Sequence, residues 1–164
     1  PDAPVEVIAY EDFQCSHCQR FNQEVKSSIM SDLVAPGLAT FEFRHRFVIG
    51  PDSVRAGAAA ECAADQGRFW EYHDALFAAL IANPRAVNSG DFKNLASQIG
   101  LDTAAFNQCV DSDTHIEKML REDNEARNAG VNATPTILIN GQRYQDAFTP
   151  EAFKAAVEAA AGGR

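Results

Sequence analysis

The chain has 164 residues, 46% of them apolar, and its 14 basic and 23 acidic side chains give a formal charge of −9. That length suits one domain with a full core, or one domain carrying a sizeable insertion, and the acidity speaks against nonspecific binding to nucleic acid or to an anionic membrane surface. No stretch approaches the roughly 18 apolar residues that a spanning helix needs, and an opening at Pro1 without Met reads as a trimmed chain whose signal peptide or anchor would lie outside it.

In chain order, the short β-branched run Val5 to Tyr10 predicts a buried strand. Apolar residues then recur at Cys18, Phe21, Val25, Ile29 and Leu33, steps of three and four that mark one helix face, and Pro36-Gly37 ends it. Thr40 to Phe47 alternates apolar and polar, a second strand. From residue 51 to 129 strong helix formers dominate, predicting helices over Ser53 to Gln66, Trp70 to Ala82, Asp91 to Ile99, Thr103 to Val110 and Asp113 to Ala129, punctuated by Gly67, Pro84, Gly90 and Gly100. The aromatic group Phe69, Trp70, Tyr72 and Phe77 reads as core of that helical block rather than as a peptide-binding surface. Strand character returns at Thr136 to Ile139, Asn140-Gly141 signals a two-residue hairpin to Gln142-Arg143-Tyr144, and Thr149-Pro150 caps a last helix. The order is βαβ, a helical block, then ββα: residues 1–50 and 130–164 form an α/β unit and 51–129 an all-helical insertion, one compact domain in all.

Four cysteines fall into a close pair, Cys15 and Cys18, and a distant pair, Cys62 and Cys109. Two separated pairs are easiest to explain in an oxidising compartment. Cys15-Ser16-His17-Cys18 follows the first strand and opens the first helix, so the Cys15 sulfur meets unpaired N–H groups and the positive end of the helix dipole, both favouring thiolate. Cys15 is then the nucleophile and Cys18, one turn inside, the resolving thiol. A protonated His17 would add to the thiolate's stabilisation, and Ser16 tunes the pair through its N–H or hydroxyl. The competing reading, a structural metal half-site, needs a second C-x-x-C or spaced histidines; His45, His73 and His115 are scattered singles, so no metal is expected. Glu11 and Asp12 before the motif and Glu24 after it are candidates for relaying a proton to Cys18, against surface charge or loop capping for each one singly.

Thr134-Pro135 stands directly before a strand, where a residue without an N–H must start the strand or mark a special turn. A C-x-x-C after the first strand, this Thr-Pro, the helical block and the segment Gln66 to Phe77 together resemble the DsbA-like thiol:disulfide oxidoreductases, over nearly the whole chain. The resemblance implies a thioredoxin-like fold with an inserted helical subdomain, a cis Pro135 beside the active-site pair, and Thr134 pairing with an extended substrate segment. It implies a monomeric enzyme with no cofactor beyond its cysteines, acting on reduced or unfolded proteins in the bacterial periplasm or cell envelope. A quinone-linked membrane partner would reoxidise it, with no part for nucleic acid. It also makes Cys62–Cys109 compatible with a second disulfide, against two buried thiols. Ser16 departs from the familiar Cys-Pro-His-Cys form, which leaves the oxidising strength open. A Cys15 pKa near 4 would favour the reduced form at pH 7 by roughly 4 kcal/mol, or about 90 mV of the ~150 mV separating thioredoxin from DsbA. An isomerase or reductase of the same fold is the nearest alternative, and a non-catalytic binding module a more distant one.

Overall fold

In the computed structural model, which describes residues 3–146 and 148–163, Val5–Glu11 (β1), Ala39–His45 (β2), Thr136–Ile139 (β3) and Gln142–Arg143 (β4) form one sheet ordered β2-β1-β3-β4. β1 runs parallel to β2 and antiparallel to β3, with Tyr10 opposite Thr136. Antiparallel register places the entrance of β3 beside the exit of β1. The chain before Thr136 and the chain after Glu11 therefore meet at one end of the sheet.

Side chains of β1 alternate between two cores, as a strand's must. Val5, Val7 and Ala9 pack against the first helix and the last, while Ile8 and Tyr10 pack with Ala126 and Val131 on the opposite face. By the same parity Glu11 belongs to the first helix's side.

That helix, α1, spans residues 16–34 and is not uniformly α. Ser16–Phe21 and Ser27–Ile29 are α turns; Asn22–Lys26 and Met30–Val34 are π turns. Phe21, Val25, Ile29 and Leu33 recur every fourth residue, a stripe that drifts by about 40° per step around a 3.6-residue helix. The wider π turns take up the excess, and all four side chains stay within 1% exposure.

The insertion consists of Pro51–Ala64 (α2), Phe69–Ala82 (α3), Ser89–Gln98 (α4), Thr103–Asp111 (α5) and Ile116–Asn128 (α6), and Pro150–Gly162 (α7) closes the chain. The helix expected from Asp113 starts only at Ile116, because Asp113 takes a φ of 52°, outside any α-helix. Gly90 lies inside the first turn of α4 rather than ahead of it, since Asn88 caps that helix reciprocally with Asp91. β2 stops at His45, two residues early, because the Phe47 N–H leaves the sheet to donate to Asp123 Oδ1 at 2.7 Å. The hairpin and the last cap are as read: Asn140 and Gly141 have φ of 49° and 78°, as the two-residue turn requires, and Thr149 accepts from the Ala152 N–H.

The aromatic group departs from its reading as insertion core. Tyr72 and Phe77 are buried, but Trp70 meets Phe41 of β2 and the Lys26 ammonium, and Phe69 meets Phe43. These rings form the seam where insertion and sheet join. A second seam is polar: buried Arg46 pairs with buried Asp123 at 2.8 Å and donates from Nε to the Val131 carbonyl at 2.6 Å. Arg127 and the Phe47 N–H also donate to the Asp123 carboxylate. The network fastens α6 to the end of β2 and to the loop that leads into Thr134.

Candidate active site

Cys15 is the N-cap of α1, in extended conformation, with its N–H bonded to the Asp12 carbonyl. Its thiol is held down to about 5: the Cys18 thiol's hydrogen bond contributes most, burial opposes it, and Thr134 and the backbone N–H groups of Cys18 and His17 add to the lowering. The sulfur lies 3.5 Å from the Thr134 carbonyl, which accepts from the neutral thiol. The buried Thr134 hydroxyl has no hydrogen-bond partner among the described residues, and the Thr134 side chain adds to the lowering of the Cys15 thiol. Cys18 is fully buried one turn inside the helix, and burial foremost, then the Cys15 sulfur and the Glu11 charge, push its thiol far up. The two cysteines are free and sit in one apolar cluster with Phe13 and insertion residues Ala59, Leu76 and Phe77, so the insertion completes the floor under them.

Of the three acids read as proton-relay candidates, the fold brings one to the sulfurs. Glu11 is fully buried, and burial, partly offset by the Asn22 hydrogen bond and the Lys26 charge, pushes it up to about 8. Asn22 Nδ2 donates to Glu11 Oε2 at 2.5 Å; Glu11 Oε1 is buried with no partner among the described residues. Asp12 instead ties loops together, accepting from the N–H groups of Gln14, Val48 and Ile49 at 2.9, 2.9 and 3.1 Å. Glu24 is exposed and pairs with Arg20. Ser16 and His17 are also exposed, and neither side chain hydrogen-bonds among the described residues. What His17 visibly gives the sulfur is its backbone N–H.

Beside Glu11 runs a second set of polar groups that the sequence reading missed. Lys26 is buried, lies over the Trp70 ring and pairs with Asp74, which in turn accepts from His73 Nδ1 at 2.7 Å. His73 is enclosed by the rings of Phe13, Phe43, Trp70 and Phe77, and burial lowers it to about 4, so it is neutral at pH 7. Asn22, Lys26 and Asp74 line a groove of about 700 Å³ between α1 and α3. The signal was present: Asn22 and Lys26 follow Cys18 at four-residue steps, a polar stripe beside the apolar one.

The Thr134–Pro135 peptide is cis, and the register of β3 sets it against Cys15. A groove of about 490 Å³ opens there, lined by His17, Arg20, Glu24, Thr134, Pro135 and Phe148. Cys62 and Cys109 form a disulfide joining α2 to α5, within the insertion.

Three comparisons place this arrangement among known proteins. A family model described as thioredoxin matches residues 1–159. A Na(+)/H(+) antiporter NhaA 1 of Salinispora arenicola is 30% identical over 99% of this chain, which covers 24% of that protein; the chain thus spans about a quarter of such relatives' length. Disulfide bond formation protein D of Bacillus subtilis is 26% identical, over 96% of this chain and 72% of that protein. The crystal structure of oxidised BdbD from Bacillus subtilis superposes with a TM-score of 0.87 at 24% identity, covering 99% of this chain and 90% of that one.

Proposed function

We propose, for a chain that belongs to the thioredoxin family and is DsbA-like in its build, that it oxidises protein thiols with the Cys15–Cys18 disulfide. The observation that carries the reading is the pairing of a Cys15 thiol held down to about 5 with a Cys18 thiol pushed up. At pH 7 the interval from 5 to 7 favours the reduced form by roughly 2.7 kcal/mol, about 60 mV toward the oxidising side.

A substrate thiolate attacks the Cys15 sulfur, the Cys15–Cys18 bond breaks, and Cys18 leaves as a thiolate. Glu11, a carboxylic acid at neutral pH, gives Cys18 its proton and is reprotonated from solvent along the Asn22 and Lys26 side. A second substrate thiolate then attacks the substrate sulfur of the mixed disulfide and expels Cys15, which stays a thiolate. Counted from two substrate thiols, which give two protons to solvent before they attack, one proton returns through Glu11 to Cys18. The products are therefore one substrate disulfide, a Cys18 thiol, a Cys15 thiolate and one proton left in solvent. A thiol of low pKa leaves fast, so this last step is the one the site accelerates.

The groove at Thr134–Pro135 would hold an extended segment of a reduced, unfolded protein, the Thr134 backbone adding to it as a strand. Ser16 and exposed His17 would adjust the potential at the rim. No cofactor beyond the cysteines is needed. An extracytoplasmic setting, a monomeric state and reoxidation by a membrane partner belong to the same reading; a second disulfide at Cys62–Cys109 accords with an oxidising compartment. Cys15→Ser is the test: it should abolish both oxidation of a reduced dithiol peptide and insulin reduction, and retained activity would overturn the proposal.

A further inference from the structure

The spacing of His115 in the sequence relates it to no cysteine, yet the fold carries it to the insertion's disulfide. The Cys62 and Cys109 sulfurs and a His115 ring nitrogen lie within 4.8 Å of one another. Asp65 stands beside these three donors rather than among them, its Oδ2 2.8 Å from His115 Nε2 and 3.7 Å from Cys109 Sγ, so its exposed side chain must swing toward Cys62 to become a fourth ligand. We propose that, when this disulfide is open, Cys62, Cys109, His115 and Asp65 form a zinc site, so that the insertion is held by a metal before the covalent bond replaces it.

The donor set suits the ion: two thiolates, an imidazole and a carboxylate are all zinc ligands, and soft sulfur disfavours magnesium and calcium. Zinc–ligand bonds of about 2.0–2.3 Å in a tetrahedron place the donor atoms roughly 3.3–3.8 Å apart. Two thiols in van der Waals contact stand roughly that far apart, and the Cα atoms of Cys62 and Cys109 are separated by 5.8 Å, close enough for both to reach one ion by side-chain rotation. Cys62 is buried and His115 half-buried, while the Asp65 side chain is 54% exposed. The site therefore has a dry side, as a structural site needs, and an open side through which the ion can enter.

Two equivalents of a small thiol reduce the disulfide, giving the two cysteine thiols and one small-molecule disulfide. Zinc then displaces both thiol protons. In the reverse direction a donor disulfide accepts the two electrons, the Cys62–Cys109 bond forms and the ion is released. A chain whose cysteines have not yet been oxidised reaches the metal-bound state without any reductant.

The experiment uses the full chain with Cys15→Ser and Cys18→Ser, so that the insertion holds the sole thiols. Reduced protein is titrated with cobalt(II), followed by displacement with zinc. One equivalent should bind, with thiolate charge-transfer and tetrahedral d–d absorbance, and oxidised protein should show neither. His115→Ala and Asp65→Ala should each weaken binding roughly tenfold or more, and Cys62→Ala/Cys109→Ala should abolish it. If reduction loosens the insertion, zinc must restore its helical signal in the His115 form and not in His115→Ala. Undiminished affinity in His115→Ala, or no tetrahedral cobalt spectrum in the reduced chain, would overturn the proposal.

Discussion

Asn22 donates from Nδ2 both to Glu11 Oε2, at 2.5 Å, and to the Cys18 carbonyl, at 3.0 Å. One amide thus binds the buried carboxyl to the helix turn that carries Cys18, and Lys26 sits one further turn along. The pairing explains how a carboxyl on the sheet is aimed at a sulfur on the helix.

Glu11→Gln should stabilise the chain at neutral pH and slow the exchange. The Glu11 carboxyl is pushed up to about 8 by burial. Below its ordinary value it is protonated folded and unfolded alike and costs nothing; as pH rises toward 8 only the unfolded chain ionises, and stability is lost. At pH 7 the substitution should return about 3 kcal/mol, and near pH 4 little. Urea unfolding at both pH values checks this, and an equal gain at both would contradict it. Formation of the mixed disulfide should slow, because Cys18 loses its proton donor.

Reduced and oxidised chains should differ in stability in a pH-dependent way. Cys15 is held down to about 5, chiefly by the Cys18 thiol, against about 8.5 in an unfolded chain. The sign is that of a lowered group: the stabilisation is complete above about 8.5 and disappears as pH falls to about 5. The reduced form should gain on the oxidised form by about 1.4 kcal/mol per pH unit across that window. Paired melts of the two forms from pH 4.5 to 9 read it directly.

The parts of this fold that depend on local pattern were legible in the sequence. The Cys15 N-cap, the Asn140-Gly141 turn and the Thr149 cap each rest on a few neighbouring residues. The choice between Glu11 and Asp12 was not legible in the same way: the sequence pattern ends the strand at Tyr10, and only the structure carries it on to Glu11, on the face of Ala9, with Asp12 past it. What pattern does not carry is contact between distant segments. Nothing near Lys26 announces Asp74 on α3, and nothing near Trp70 announces Phe41. The π turns of α1 stand between: a stripe at every fourth residue exceeds the α repeat, and that excess was visible.

Asp123→Ala should cost about 3–5 kcal/mol, because it strands the buried Arg46 charge. It also releases the Phe47 N–H and loosens the Val131 loop ahead of Thr134. Denaturant unfolding measures the first effect, and a raised KM for a dithiol peptide the second.

Replacing both Cys62 and Cys109 by Ala removes the crosslink between α2 and α5, which are 47 residues apart at the bond. The expected loss is about 4 kcal/mol in the chain-entropy view, measured by urea unfolding of the oxidised protein. The Cys15 thiolate should still titrate near 5, since the groups that hold it down belong to α1 and to the Thr134 turn.

In the proposed function the Cys15–Cys18 pair gives its disulfide away. The equilibrium potential of Cys15–Cys18 against glutathione at pH 7 tests it most directly. Adding the roughly 60 mV from thiolate stabilisation to a thioredoxin baseline of about −270 mV predicts a value near −210 mV or more oxidising. A potential at or below about −270 mV would make the chain a reductant and contradict the account.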